Sequence, residues 1–221
     1  LGFSAEHLTH WKHQITQPHG IILVTGPTGS GKTTTLYSSL QQMDLRKLNV
    51  ATVEDPVEYQ IGNITQIQTH ERIGLTFSSS LRSLMRQDPD VIMIGEIRDQ
   101  ETATIAIQAS LTGHLVLSTL HTNDAPSSLT RLINIGIEPF LISSAVSTVL
   151  AQRLVRCNCS HCLTTSELPQ ELEDLVRDAG VDPNNVKQSS GCERCRNTGY
   201  QGRLALYELL HIDDTIRDSI V

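Results

Sequence analysis

A chain of 221 residues with 38% hydrophobic and 19% charged residues has the make-up of one sizeable folded domain with a possible small appendage, not of a disordered tract. A formal charge of -7 and an aromatic content of 4% argue against a non-specific nucleic-acid binder, which needs basic patches and stacking platforms. No stretch reaches the roughly 18 apolar residues of a membrane-crossing helix, and LGFSAEHLTHWKH lacks the apolar centre of a signal peptide. The sequence begins without Met, so it is expected to be a fragment of a longer chain.

In chain order, Leu8, Trp11 and Ile15 recur at helical spacing behind Ser4, an N-cap residue. GIILVT (20–25) is a continuous apolar run, which predicts a strand buried on both faces. A Gly-rich turn follows, and then a helix from Lys32 through Met43. VATVE (50–54) reads as a second strand, and the alternating ITQIQT (64–69) as an edge hairpin strand. FSSSLRSLMRQ (77–87) reads as an amphipathic helix stopped by Asp88 and Pro89. VIMIGE (91–96) predicts a third buried strand, 99–111 a helix, and HLVLSTLH (114–121) a fourth strand. Residues 125–156 read as helical, broken near Gly136 and restarted at Pro139 as a first-turn proline. Such strand–helix alternation predicts an α/β fold with a mainly parallel sheet. From about residue 157 Cys, Gly and Asn dominate, and a small subdomain is expected there.

Gly26-Pro27-Thr28-Gly29-Ser30-Gly31-Lys32-Thr33 fits G-x-x-x-x-G-K-[ST] between a buried strand and a helix, the context that pattern requires. The glycines let backbone N–H groups converge on phosphates, and the helix start adds its positive dipole. Lys32 would reach the β- and γ-phosphates and Thr33 would ligate Mg²⁺, with Thr34 next in the same turn.

VIMIGE ends in one carboxylate, Glu96, where many nucleotide-hydrolysing proteins carry an Asp one position earlier; here Gly95 stands in that place. Glu96 would hold Mg²⁺ through water, orient an attacking water, or simply pair with Arg98; it reaches the phosphate loop if the two strands are neighbours. TVEDPVEY (52–59) adds Glu54, Asp55 and Glu58, facing the same crevice or forming a solvated acidic turn. His114 and His121 bracket the fourth strand, roughly 23 Å apart end to end, so one nucleotide can hardly touch both. Arg72, Arg82 and Arg86 could neutralise charge across a subunit boundary, with ordinary ion pairing as the plainer role, above all for Arg82.

All five cysteines lie between 157 and 195, so they point to one local site rather than a disulfide framework. Two C-x-x-C pairs, Cys159/Cys162 and Cys192/Cys195, supply four thiolates for tetrahedral Zn²⁺. Four protein ligands leave no open position, which makes the site structural rather than catalytic; Cys157 is the odd one out, able to replace Cys159 as a ligand, although C-x-x-C spacing fits a knuckle better than C-x-C.

GPTGSGKT, TVEDPVEY, RQDPDVIMIGEIRD, TGHLVLSTLHT and the two C-x-x-C pairs stand in the order seen in one family. The chain resembles, over nearly its whole length, the ATPases of type II secretion and type IV pilus assembly. GIEPFLISSAVSTVLAQRLVR resembles the type II secretion branch more than the pilus-extension branch, and the C-x-x-C pairs set it apart from retraction-type pilus motors.

The resemblance implies a RecA-like P-loop NTPase core with a small helical zinc-binding subdomain. The expected division is an ATPase core over 1–156, a tetracysteine zinc subdomain over 157–198, and a segment over 199–221 packing back on the core. By resemblance Glu58 matches the catalytic glutamate of the family's Asp box. Glu96 is the glutamate of its atypical Walker B, serving Mg²⁺; His114 and His121 form its His box. Arg72, Arg82 and Arg86 fall where such proteins keep arginines near the nucleotide or the subunit interface. The implied cofactors are ATP, Mg²⁺ and Zn²⁺.

The implied setting is a homo-hexamer of the full-length protein at the cytoplasmic face of the inner membrane. It is peripheral to that membrane, held through platform and cytoplasmic-anchor proteins, and binds no nucleic acid. Family members also carry an N-terminal domain that covers the nucleotide. The rival readings are a DNA-translocating or conjugation ATPase, a non-hydrolysing nucleotide switch, and a zinc scaffold that would leave the phosphate loop unexplained.

Overall fold

The computed structural model describes residues 2–166 and 168–221. In chain order the elements are α1 (Ala5–Gln14), β1 (Gly20–Thr25), α2 (Lys32–Leu40), β2 (Val50–Glu54), β3 (Thr65–Gln68), α3 (Phe77–Leu84), β4 (Val91–Ile94), α4 (Gln100–Leu111) and β5 (Leu115–Leu120). There follow α5 (Pro126–Asn134), α6 (Pro139–Ala145), β6 (Val146–Asn158), β7 (Leu163–Thr165), α7 (Gln170–Asp178), β8 (Lys187–Ser189), β9 (Tyr200–His211) and α8 (Asp214–Ile220). They form two compact units: residues up to Arg153 together with Leu206–Val221, and Leu154–Ala205.

In the first unit a seven-stranded sheet has the order β3-β2-β4-β5-β1-β6-β9, and the pairings among β1 to β6 are parallel. The strands are near-continuous apolar runs because both faces are covered. Alternate residues divide between two clusters. Ile21, Leu23, Ala51, Val53, Ile92, Ile94 and Val116 face one side, with side chains of α3, α4, α5 and α6. Ile22, Val24, Val50, Met93 and Leu117 face the other, with Trp11 and Ile15 near α1 and Leu36, Tyr37 and Leu40 of α2. Ile212, Leu210, Ile216 and Ile220 of the C-terminal segment join the first cluster. Truncating a side chain such as Leu23, wholly buried here, to Ala would cost about 2–5 kcal/mol.

Local chemistry starts several helices. Ser4 accepts from the His7 N–H at 3.2 Å, Thr76 and Ser79 form a reciprocal cap on α3, and Asp99 accepts from the Thr102 N–H at 2.8 Å. Pro126 and Pro139 open α5 and α6. Among the described residues no helix is long and apolar enough to cross a membrane.

Three elements differ from the sequence reading. The helix after the Gly-rich turn stops at Leu40, three residues short of Met43. Thr65–Gln68 is an edge strand, but it lies parallel to β2, with Ala51 opposite Thr65, so it is no hairpin. The helical reading of 125–156 ends at Ala145; Val146–Asn158 is a strand whose Thr148, Val149 and Leu150 pair with Ile22, Leu23 and Val24. Val146, Thr148 and Val149 are β-branched and suit a pleated strand buried beside β1.

The second unit holds the antiparallel pair β7–β8, helix α7 and two short 3₁₀ turns, Pro183–Asn185 and Glu193–Cys195.

Candidate functional site

Parallel strands bring the loops at their carboxyl ends to one edge, where open α/β sheets bind ligands. Here those loops follow β1, β2, β4 and β5. Residues 26–31 leave β1 and enter α2, with Gly31 in the left-handed region (φ 88°) as its N-cap. Gly26 (φ 141°) tolerates no side chain, since a Cβ there would lie 2.3 Å from the Gln152 carbonyl oxygen. Pro27, Thr28, Gly29, Thr33 and Thr34 are exposed, and Ser30 is buried.

The buried Gln152 of β6 clamps the loop. Its Nε2 donates to the Ser30 carbonyl at 2.6 Å, and its Oε1 accepts from Thr35 Oγ1 at 2.8 Å. Lys32 Nζ donates to the carbonyls of Gly26 at 2.9 Å and Pro27 at 3.2 Å. Burial lowers the Lys32 pKa, and the charge of Glu96 works against that.

Glu96 therefore acts on Lys32, although β4 is not the neighbour of β1: β5 lies between them. The turn bearing it is pinned by Thr119, whose Oγ1 donates to the Gly95 carbonyl at 2.7 Å and whose carbonyl accepts from the Ile97 N–H at 3.1 Å. Glu96 pairs with Arg98 and lies 3.4 Å from His121 Nε2. Burial pushes the Glu96 carboxyl up, but Arg98 and His121 outweigh it and hold the pKa below the usual value.

The acids after Val53 part company. Glu54 is buried at the end of β2 and accepts from Tyr37 Oη, Thr52 Oγ1 and Gln66 Nε2. Asp55 and Glu58 are exposed in the loop that follows. His121 sits at the carboxyl end of β5, while His114 precedes that strand at the opposite end, its Nδ1 donating to the Ala109 carbonyl at 2.9 Å.

The arginines lie elsewhere. Arg72 is exposed on the 3₁₀ turn Glu71–Ile73. Arg82 pairs with Glu101 at 2.6 Å, and Arg86 donates to the Arg82 carbonyl at 2.9 Å. The helix carrying Arg82 packs on the face of the sheet away from α2. Among the described residues no hydrogen bond or ion pair joins these three to 26–33.

Gln152, Tyr37 and Glu54 are roles that sequence patterning misses, because each is defined by a partner 17 to 122 residues away. The available signal was polarity inside apolar strands: a Gln in VLAQRLV and a Glu closing VATVE.

In the second unit the sulfurs of Cys159, Cys162, Cys192 and Cys195 all lie within 4.8 Å of one another. The separations Cys159–Cys192, Cys162–Cys195 and Cys192–Cys195 are 3.9, 4.0 and 3.8 Å. Four thiolates on Zn²⁺ at about 2.3 Å would sit about 3.8 Å apart, so the cluster fits that ion. Burial pushes the Cys195 thiol up, but N–H groups of Cys192 and Gly199 and the neighbouring thiols bring it down to about 6; burial and the other thiols push Cys162 up to about 11. Gly191 and Gly199 have φ of 93° and 75°, and a Cβ on either would come 2.9 Å from a backbone oxygen. Cys157 lies outside the cluster.

Comparison with known proteins gives a consistent result. The family described as "Type II/IV secretion system protein" matches residues 1–221. The chain is 51% identical over 220 residues to the Type II secretion system ATPase E of Vibrio cholerae, covering 100% of this chain and 44% of that protein. It is 50% identical over 226 residues to the Type IV pilus assembly ATPase PilB of Myxococcus xanthus, covering 100% of this chain and 40% of that protein. The chain thus spans less than half the length of these relatives. Among solved structures it superposes on the pilus retraction motor PilT with bound ADP at a TM-score of 0.73, with 30% identity, 100% of this chain and 54% of that one. The VirB11 ATPase of Brucella suis shares the fold at a TM-score of 0.63 and 18% identity, over 96% of this chain and 54% of that one. With every residue matched by the family and half of them identical in its members, the chain belongs to the type II/IV secretion system proteins.

Proposed function

We propose that this chain is the ATP-hydrolysing part of a longer motor protein that powers pseudopilus or pilus assembly and protein export in a type II secretion system. The observation that carries the reading is the convergence at one sheet edge of a G-x-x-x-x-G-K-T loop, Lys32 and an ionised Glu96.

In this reading residues 26–34 cradle the phosphates of ATP with backbone N–H groups, and Lys32 neutralises the β- and γ-oxygens. Thr33 and Glu96 supply oxygen donors of the hard kind that Mg²⁺ takes, and that ion would neutralise charge on the same phosphates. Glu58 accepts a proton from water as its oxygen attacks the γ-phosphorus; the bond from that phosphorus to the bridging oxygen breaks, giving ADP and phosphate. His121 keeps Glu96 oriented. His114, at the other end of its strand, serves an interface, and Arg72 and Arg86 act across a subunit boundary in a homo-hexamer. Cys159, Cys162, Cys192 and Cys195 hold a structural Zn²⁺. The protein works at the cytoplasmic face of the inner membrane, bound through platform and anchor proteins, with no nucleic-acid partner. Type IV pilus extension is the second reading, favoured by the 50% identity to PilB of Myxococcus xanthus.

The test is Mg-ATP hydrolysis by the full-length protein and by Glu58→Gln, each with a nucleotide-binding titration. The parent should turn over, and the variant should bind ATP equally well yet hydrolyse it at least about 100-fold more slowly. Equal turnover would remove Glu58 from its role, and binding without turnover by the parent would leave a nucleotide switch.

A further inference from the structure

We infer that Tyr37 is a positioning residue for hydrolysis: its hydroxyl, held by the buried Glu54, ties the phosphate-loop helix to the backbone of Glu58. The inference rests on the role proposed above for Glu58.

Tyr37 lies on α2, five residues beyond Lys32, and is completely buried. Its hydroxyl donates to Glu54 Oε2. The same oxygen accepts from the Glu58 N–H at 3.3 Å, and Gln66 Nε2 lies 3.5 Å from it. The polarity of this junction follows from its donors. The Glu58 N–H can only donate, so the Tyr37 oxygen accepts from it, and the one phenolic proton goes to Glu54 Oε2. Oε1 of Glu54 is engaged by Thr52 Oγ1 and by Gln66 Nε2 at 3.1 Å, which fixes the carboxylate and with it the direction of the Tyr37 hydroxyl. Glu54 is thus committed to internal partners, and this separates it from the exposed Glu58 four residues on.

The rest of the loop is held from its own sheet. Gln68 Oε1 accepts from the Val57 N–H at 3.2 Å, Gln66 Oε1 accepts from the Ile61 N–H at 2.7 Å, and Gln66 Nε2 donates to the Tyr59 carbonyl at 3.2 Å. Those partners stand on β3. Tyr37 brings the hold from α2, and its ring meets Tyr59 edge-on at 4.7 Å. The Tyr37 hydroxyl thus joins α2 directly to the Glu58 backbone, and its ring joins α2 to Tyr59 beside it. Burial, the Glu54 hydrogen bond and the Glu54 charge raise the Tyr37 pKa, so the phenol keeps its proton across the working pH range.

The experiment uses the full-length protein with Tyr37→Phe, which keeps the ring and removes the oxygen, and with Glu54→Gln as a second, isosteric variant. Each should lower kcat about 10-fold or more while KM for ATP changes less than about 2-fold, because the loss falls on placement and not on binding. Amide exchange at Glu58 should quicken about 10-fold in Tyr37→Phe. The double variant Tyr37→Phe/Glu58→Gln should hydrolyse no more slowly than Glu58→Gln alone. Unchanged kcat in both single variants, or a Tyr37→Phe loss that multiplies with that of Glu58→Gln, would overturn the inference. If the parent itself fails to hydrolyse ATP, the motor reading falls, and the exchange rate at Glu58 still decides whether Tyr37 holds it.

Discussion

The loop of residues 26–33 and the tetracysteine cluster are both places where several polar groups converge, yet they are assembled in opposite ways. The cluster comes from two short knuckles of C-x-x-C, each closing on itself through a backbone N–H such as Cys192 N to Cys195 Sγ at 3.1 Å. Spacing alone sets most of its geometry. The loop of residues 26–33 is held by a register of strands: Gln152 reaches Ser30 from within β6, Glu96 acts on Lys32 from the turn after β4, and His121 meets Glu96 from the carboxyl end of β5. A local site depends on its ligand to stay ordered; a tertiary one depends on the core behind it.

The largest expected effect breaks the two regions apart. Stripping the metal with a chelator, or Cys195→Ser, should remove about one Zn²⁺ per chain and melt amide protection in Leu154–Ala205, since zinc binding in such sites is worth on the order of 10 kcal/mol. ATP binding should stay within about 2-fold, because no Cys lies in the first unit and its core is closed by burial. Equal loss of both would contradict the separation.

Next comes the clamp. Gln152→Ala leaves the Ser30 carbonyl and the Thr35 hydroxyl without their buried partner, at a cost of about 1–3 kcal/mol. A lowered urea midpoint together with weaker ATP binding is the expected pair of changes. A change in stability alone would mean the clamp does not shape the loop.

A smaller effect is the pH response of Glu96. Its folded pKa lies below the ordinary carboxylate value of 4.5, so the stability it contributes is complete above about that pH and is lost as pH falls through the folded value. Urea midpoints of the parent and Glu96→Gln should differ most above pH 4.5 and converge in more acid solution. Arg98 is 56% exposed, which keeps the difference modest. The smallest effect belongs to Arg82→Ala: with 58% and 52% of the paired side chains exposed, losing the Glu101 partner should cost less than about 1 kcal/mol, read as a melting shift of a few degrees at most.

This contrast also explains what was legible in the residues. GIILVT, VATVE, VIMI and LVLSTL are long apolar runs, and strand–helix alternation gives the parallel sheet. The convergence of the four cysteine sulfurs was legible because it is written in the C-x-x-C spacing. Val146–Asn158 was not: it follows a true helix without a Gly or Pro break, and its β-branched residues settle into a strand through their place beside β1. The edge strand Thr65–Gln68 carries the right alternation, but nothing in four residues states which way it pairs. Tyr37 looks like any core aromatic of an amphipathic helix until Glu54 and the Glu58 N–H are found on its hydroxyl.

The most direct measurement is a structure of the full-length protein with Mg²⁺ and a slowly hydrolysed ATP analogue. The expected result has the analogue's phosphates on residues 26–33, Thr33 and Glu96 beside the ion, and the Glu58 carboxylate on a water in line with the γ-phosphorus. Glu58 turned to solvent with another carboxylate on that water would contradict the assignment.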